Sequence, residues 1–214
     1  MQKLWKVSVV LCFLVLILLP GNVGLAHNAY GVTGLINIPT ASVLSSGSMS
    51  IGYSTFRGGH YASVILGAFP NVEVGLASDL SSKNPSFLGS AKVKILNEAD
   101  YPAVAVGLTA DGNHVNYYLV CSMQVGFPGV RGHIGFGTGR YKSGFAGISS
   151  VLNPVSISTS NKRFTLPVTT VLIEYDGSGL NTGLSFKFNQ KLESKIIVSD
   201  FNQIGFAVNY SHTF

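Results

Sequence analysis

The chain has 214 residues, 46% of them hydrophobic and 11% charged, where an average soluble domain carries ~25% charge. Low charge beside 13 Phe and 9 Tyr excludes a disordered chain, and two cysteines exclude a disulfide scaffold. A formal charge of +5 demands no strongly charged partner, and a mean hydropathy of +0.37 directs attention to membrane-facing surface.

Met1–Ala26 reads as a secretory signal peptide. Lys3 and Lys6 form its positive start, and Val7–Leu19 is an apolar stretch ended by Pro20 and Gly21. Gly24-Leu25-Ala26 supplies small residues for cleavage after Ala26. An uncleaved anchor is the alternative. Cys12 is no lipid-attachment site, because Leu11 before it is too large. Removal of the leader takes away two lysines, the only Trp and one Cys, leaving Cys121 alone and a charge of about +3. No apolar run of ~18 residues follows, so no transmembrane helix is expected.

Residues 27–214 are expected to form one domain. Residues 27–47 are a lead-in that adds a strand or rests in the mouth of the fold. Beyond it, segments of nine to eleven residues alternate apolar with small or polar residues, and turn residues separate them. The pattern predicts about twelve strands: Ser48–Arg57, Tyr61–Ala68, Val72–Asp79, Phe87–Leu96, Ala103–Thr109, Val115–Val125, His133–Gly139, Gly144–Leu152, Thr169–Asp176, Leu180–Phe188, Leu192–Asp200 and Gln203–Phe214. Val155–Pro167 is the longest irregular connection.

The last three hairpins predict a register. A two-residue turn at Gly177-Ser178 sets Tyr175 opposite Leu180 and Glu174 opposite Asn181. Lys187 then faces Glu193, Leu184 faces Ile196, and a three-residue turn at 200–202 sets Val198 opposite Ile204. One face stays apolar across four strands (Val171, Ile173, Tyr175, Leu184, Phe186, Phe188, Ile196, Val198, Ile204, Phe206, Val208, Tyr210). A one-residue slip would scramble it. The other face is small and charge-poor, with Gly75 and Ala77, Ala103 and Ala105, or Gly135, Gly137 and Gly139 sharing a side. Bulky apolar residues outside and small ones inside are the pattern of a transmembrane barrel. The expected fold is therefore all-β: an antiparallel up-and-down transmembrane β-barrel of about 12 strands.

The C-terminal strand ends in alternating hydrophobics and a terminal Phe. Gln203, Gly205, Val208, Tyr210 and Phe214 resemble the assembly signal of bacterial outer-membrane barrels. Two further stretches are Gly31-Val32-Thr33-Gly34-Leu35-Ile36-Asn37-Ile38-Pro39-Thr40-Ala41, and Glu174-Tyr175-Asp176-Gly177 followed by Asn181-Thr182-Gly183-Leu184. Both resemble motifs of the YjbH-like outer-membrane proteins linked to exopolysaccharide production, of which this would be a short, single-barrel member. The resemblance implies outer-membrane lipid and the barrel-assembly machinery as partners, with envelope polysaccharide or its export proteins as further ones.

A search for chemistry finds no catalytic, cofactor or metal site. His27, His60, His114, His133 and His212 show no metal-ligand spacing; His60 and His114 are expected in turns. No Gly-x-Ser-x-Gly elbow occurs. The glycines of Gly135-Phe136-Gly137-Thr138-Gly139 recur with strand period and precede no helix, so they do not make a nucleotide loop. Arg131, Arg140 and Lys142 read as a solvated rim. Modest charge on an exported chain argues against nucleic acid. Cys121 lies on an apolar face as a small hydrophobe. The candidates that remain are the inward charges Glu73, Asp79, Lys92, Lys94, Glu174, Asp176, Lys187, Glu193 and Lys195. Mutual pairing, as for Lys187 with Glu193, is the plainer role for them; lining a polar lumen that holds or passes a hydrophilic solute is the other.

The expected function is a non-enzymatic outer-membrane barrel accessory to envelope or exopolysaccharide export. A small passive channel and a soluble secreted β-sandwich or adhesin-like module are the alternatives.

Overall fold

The computed structural model describes residues 27–81, 85–112, 114–153 and 166–214. The expected leader and most of the expected long connection lie outside the described residues. Twelve strands are described: β1 Ser48–Phe56, β2 Gly59–Phe69, β3 Val72–Asp79, β4 Ser86–Leu96, β5 Ala103–Asp111, β6 His114–Gln124, β7 Val130–Gly137, β8 Phe145–Val151, β9 Val168–Tyr175, β10 Leu180–Lys187, β11 Leu192–Ser199 and β12 Gln203–Thr213. Each pairs antiparallel with its neighbours in sequence. β1 closes on β12, with Ser48 opposite Thr213 and Ile51 opposite Tyr210. Closure leaves no free strand edge, which an apolar medium would penalise at several kcal/mol for each unpaired backbone group. It also removes the two-sheet sandwich alternative.

The register follows from side-chain alternation. Tyr175 pairs with Leu180, Glu174 with Asn181, Lys187 with Glu193, Leu184 with Ile196 and Val198 with Ile204, as the hairpin reading requires. The outward face is apolar around the ring: Phe136, Ile173, Ile196, Ile204 and Phe206 are all exposed. In water such a surface would be unfavourable at ~25 cal/mol per Å²; against lipid it is the favourable one. The fold is a transmembrane β-barrel.

Some boundaries differ from expectation. The strand expected at His133–Gly139 begins at Val130 and ends at Gly137. Gly139 has φ 55° and opens a 3-10 turn over Gly139–Tyr141, so it is not a third strand glycine. At the first hairpin Arg57 and Gly58 both have positive φ, at 48° and 76°. That is the backbone of a two-residue primed turn, and it draws Gly59 and His60 into β2, where His60 pairs with Thr55. His114 likewise starts β6 rather than lying in a turn.

The interior core is where residues 27–44 lie. Eight strands enclose a space that their own side chains fill, whereas sixteen or more leave a channel. Twelve strands with small inward residues enclose more space than those side chains fill, and the lead-in occupies it. It adds no strand to the barrel. Ala29, Val32, Leu35, Ile36, Ile38 and Ala41 are buried against Ala103, Ala105, Val120, Leu172 and Ile197 of the wall. The segment is folded tightly on itself, with bridges between His27 and Thr33 and between Gly34 and Pro39. It leaves the lumen at Ser45–Gly47, which are exposed, and continues into β1.

Candidate functional site

The site is the plug and the wall that holds it. A buried backbone N–H or C=O needs a partner, and the loop 27–44 satisfies part of its own, with Asn28 N, Ala29 N, Leu35 N and Thr40 N donating to the carbonyls of Val32, Ile36, Ile38 and Thr33. The wall supplies partners for others, chiefly through charged side chains at two centres.

At the first centre Glu73 of β3 faces Lys92 of β4 in register, and Lys92 Nζ lies 3.0 Å from Glu73 Oε1. The Glu73 carboxylate accepts hydrogen bonds from the backbone N–H of Thr33 at 2.9 Å, from that of Leu44 at 2.8 Å, and from the Thr33 hydroxyl. Lys92 donates to the carbonyls of Thr33 at 2.7 Å and Thr40 at 3.1 Å. Both side chains are fully buried.

At the second centre Glu174 of β9 accepts from three plug N–H groups: Asn37 at 2.8 Å, Ile36 at 3.0 Å and Ile38 at 3.3 Å. Asn181 Nδ2 donates to it at 3.0 Å. Lys195 of β11 donates to the carbonyls of His27, at 3.3 Å, and Leu35. Wall hydroxyls complete the set. Ser122 Oγ accepts from Ala41 N at 2.9 Å, and Ser90 Oγ donates to Gly31 O at 2.7 Å.

Asp176 stands just past β9, at the end of the barrel opposite Ser48 and Thr213. Its carboxylate accepts from Asn37 Nδ2 at 2.6 Å and Asn181 Nδ2 at 3.1 Å, and it pairs with Arg57 at 3.1 Å. Burial alone pushes this carboxyl up. Hydrogen bonds from Asn37, Ser178 and Asn181 outweigh burial and hold it at about 2.

Small wall residues make room for the plug. A Cβ at Gly75 would sit 2.0 Å from the Gly31 carbonyl oxygen, and one at Gly147 would sit 2.8 Å from the ends of both Leu35 and Ile38. Gly75 and Gly147 therefore answer to the plug, whereas Gly135 makes room for the Phe145 ring of the wall.

Of the nine inward charges, Glu73, Lys92, Glu174, Lys195 and Asp176 engage the plug. Glu193 is half-buried, opposite Lys187, and accepts from the Ser185 hydroxyl. Asp79 accepts from Ser81 N in its own turn at 2.8 Å. Lys94 is half-buried towards the end where Ser48 meets Thr213. Mutual pairing thus accounts for Glu73 with Lys92 but not for the set as a whole. On β12, Gly205 faces inward, Val208 and Tyr210 lie on the outward side, and Gln203 and Phe214 mark its exposed ends. Sequence reasoning did not reach the plug contacts of Thr33, Asn37, Ser90 and Ser122. The motif Gly31–Ala41 was the available signal, but it carries no period that says where it lies. Among the described residues no group of His, Cys, Asp and Glu is arranged to hold a metal ion.

Comparison with solved structures finds a "KdgM porin", with a TM-score of 0.51 at 15% identity, covering 78% of this chain and 99% of that one. At that identity the likeness concerns the fold. No curated protein matches the chain. Residues 26–166 match the family described as "Exopolysaccharide biosynthesis protein YbjH". That stretch holds the whole plug, both members of the Glu73–Lys92 centre and strands β1 to β8, and on it the chain belongs to the YjbH exopolysaccharide family.

Proposed function

We propose that the chain is a non-enzymatic outer-membrane barrel that serves exopolysaccharide export as an accessory, with its lumen closed at rest by residues 27–44. The observation that carries this reading is the plug itself. A lumen occupied by the chain's own segment, tied at two buried charged centres, favours an accessory role over a standing passive pore. The apolar outward face suits outer-membrane lipid as its surroundings. The alternating β12 suits the barrel-assembly machinery, and residues 1–26 suit export across the inner membrane. Family membership supports the link to polysaccharide, with the polymer or its export proteins as partners.

A second reading, a small porin-like channel, is favoured by the porin fold likeness and by cavities on both sides of the plug, of about 440 and 220 Å³. The two readings converge if the plug is displaced in use.

The test is a strain lacking the chain. Cell-bound and released polysaccharide should both fall and return on complementation, and the chain should fractionate with the outer membrane. Unchanged polysaccharide output would overturn the accessory role.

A further inference from the structure

The end of the barrel opposite Ser48 and Thr213 carries a cavity of about 440 Å³, within the ~300–1,000 Å³ usual for ligand sites. Its floor is the plug, through Tyr30 and Asn37, and its walls include Asp111, Arg140, Lys142 and Asp176. Most small-molecule pockets are lined mainly by apolar side chains; this one sets charged and amide side chains beside the Tyr30 ring, which points to a hydrophilic ligand with a face that can rest on an aromatic ring.

Arg140 is the distinctive member. Its guanidinium lies 3.6 Å over the Tyr30 ring, and its Nη2 donates to Asn37 Oδ1 at 3.1 Å. Among the described residues it meets no carboxylate. Stacking occupies one face of the plane and leaves in-plane N–H edges, the geometry that takes a carboxylate bidentately. Lys142 is exposed beside it and, among the described residues, pairs with no acid. Arg57, by contrast, is already neutralised by Asp176 and Asp200. The rim therefore presents two unmatched cations, and beside them the acceptor carboxylate of Asp111.

We infer that this mouth cavity binds an acidic saccharide segment, a uronate whose carboxylate meets Arg140 and whose hydroxyls donate to Asp111 and accept from Lys142. Both signs of charge in one cavity select this chemistry. A dianion such as phosphate would face repulsion from Asp111 and Asp176. A neutral sugar would leave the Arg140 edge without an anion. The inference rests on the polysaccharide reading above and names its ligand class. Bound there, the saccharide touches Tyr30 and Asn37, and Asn37 is also held by Glu174 through its backbone. The site thus lies one residue from the second plug anchor.

The test is calorimetric titration of the purified full chain in detergent micelles with three probes: an alginate tetrasaccharide, maltotetraose and inorganic phosphate. Alginate is expected to bind, with affinity falling as salt rises from about 0.05 to about 0.5 M. Arg140→Gln should weaken it at least about tenfold. Lys142→Gln, at an exposed side chain with no described partner, should weaken it by a smaller factor with the fold unchanged. That second variant keeps the test valid if Arg140→Gln loosens the plug. Absence of alginate binding, equal binding of maltotetraose, displacement by equimolar phosphate, or wild-type affinity in both variants would each overturn the inference. A deletion strain with normal polysaccharide output sinks the accessory role whatever the titration shows. Failed titration beside a clear deletion phenotype sinks only this site.

Discussion

Glu174 is the residue on which most of the plug converges. Both of its oxygens act as acceptors: Oε1 takes Asn37 N and Asn181 Nδ2, and Oε2 takes Ile36 N and Ile38 N. Glu174→Ala leaves those donors buried without an acceptor. Removing one side of a buried polar centre costs about 3–5 kcal/mol, so urea unfolding in detergent should show a loss of that size. Glu174→Gln should also lose most of it, because its amide nitrogen would face donors. Asp100→Asn, exposed between β4 and β5, should change stability by no more than about 0.5 kcal/mol. Equal stability of all three variants would mean that the plug is not held through Glu174.

Asp176 gives the same region a pH dependence. Its folded value, about 2, lies below the ordinary carboxyl value of 3.8. A depressed carboxyl stabilises the folded state above the ordinary value and loses that contribution as pH falls through the folded one. Unfolding midpoints should therefore be insensitive to pH near neutrality, where Asp176 contributes in full, and decline between pH 3.8 and about 2. Asp176→Asn should flatten that acid limb. An acid limb identical in wild type and variant would show that the Asn37 and Ser178 contacts to Asp176 do not hold in solution.

At the scale of elements, plug and wall have divided the usual tasks of a core. The strands bring alternation and backbone pairing. The lead-in adds the branched side chains Val32, Ile36 and Ile38 to the few, Val120, Leu172 and Ile197, of an inner face otherwise rich in glycine and alanine. Deleting residues 28–44 keeps every strand and removes the filling. In a planar bilayer the wild-type chain should show little steady conductance, and the deletion should conduct. Equal currents in both would mean that the plug does not obstruct the lumen. The strands were legible from sequence because neighbouring residues carry the signal, and the pairing of Tyr175 with Leu180 or Ile196 with Phe206 followed from period and turn length. Ends were less legible. Gly139 continues the alternation of Gly135 and Gly137, yet its φ of 55° starts a turn, and composition does not distinguish a strand glycine from a turn glycine.

For the whole molecule, closure makes the folded state resistant as a unit, since no strand peels away without breaking pairs on both sides. The folded chain in SDS should migrate differently before and after boiling. Identical migration, with the protein monodisperse without detergent, would contradict a membrane-embedded barrel.

The sequence by itself determined the twelve-strand alternation, the hairpin register and which side of each strand turns outward, because these depend on residues within a few positions of one another. Only the tertiary structure decided that residues 27–44 lie inside the lumen. Glu73 reaches Thr33 across 40 residues and Glu174 reaches Asn37 across 137, and what they bind is backbone N–H, which every residue but proline carries and no composition reveals. The inward charges were visible as charges. What they hold became visible when the chain entered its own barrel.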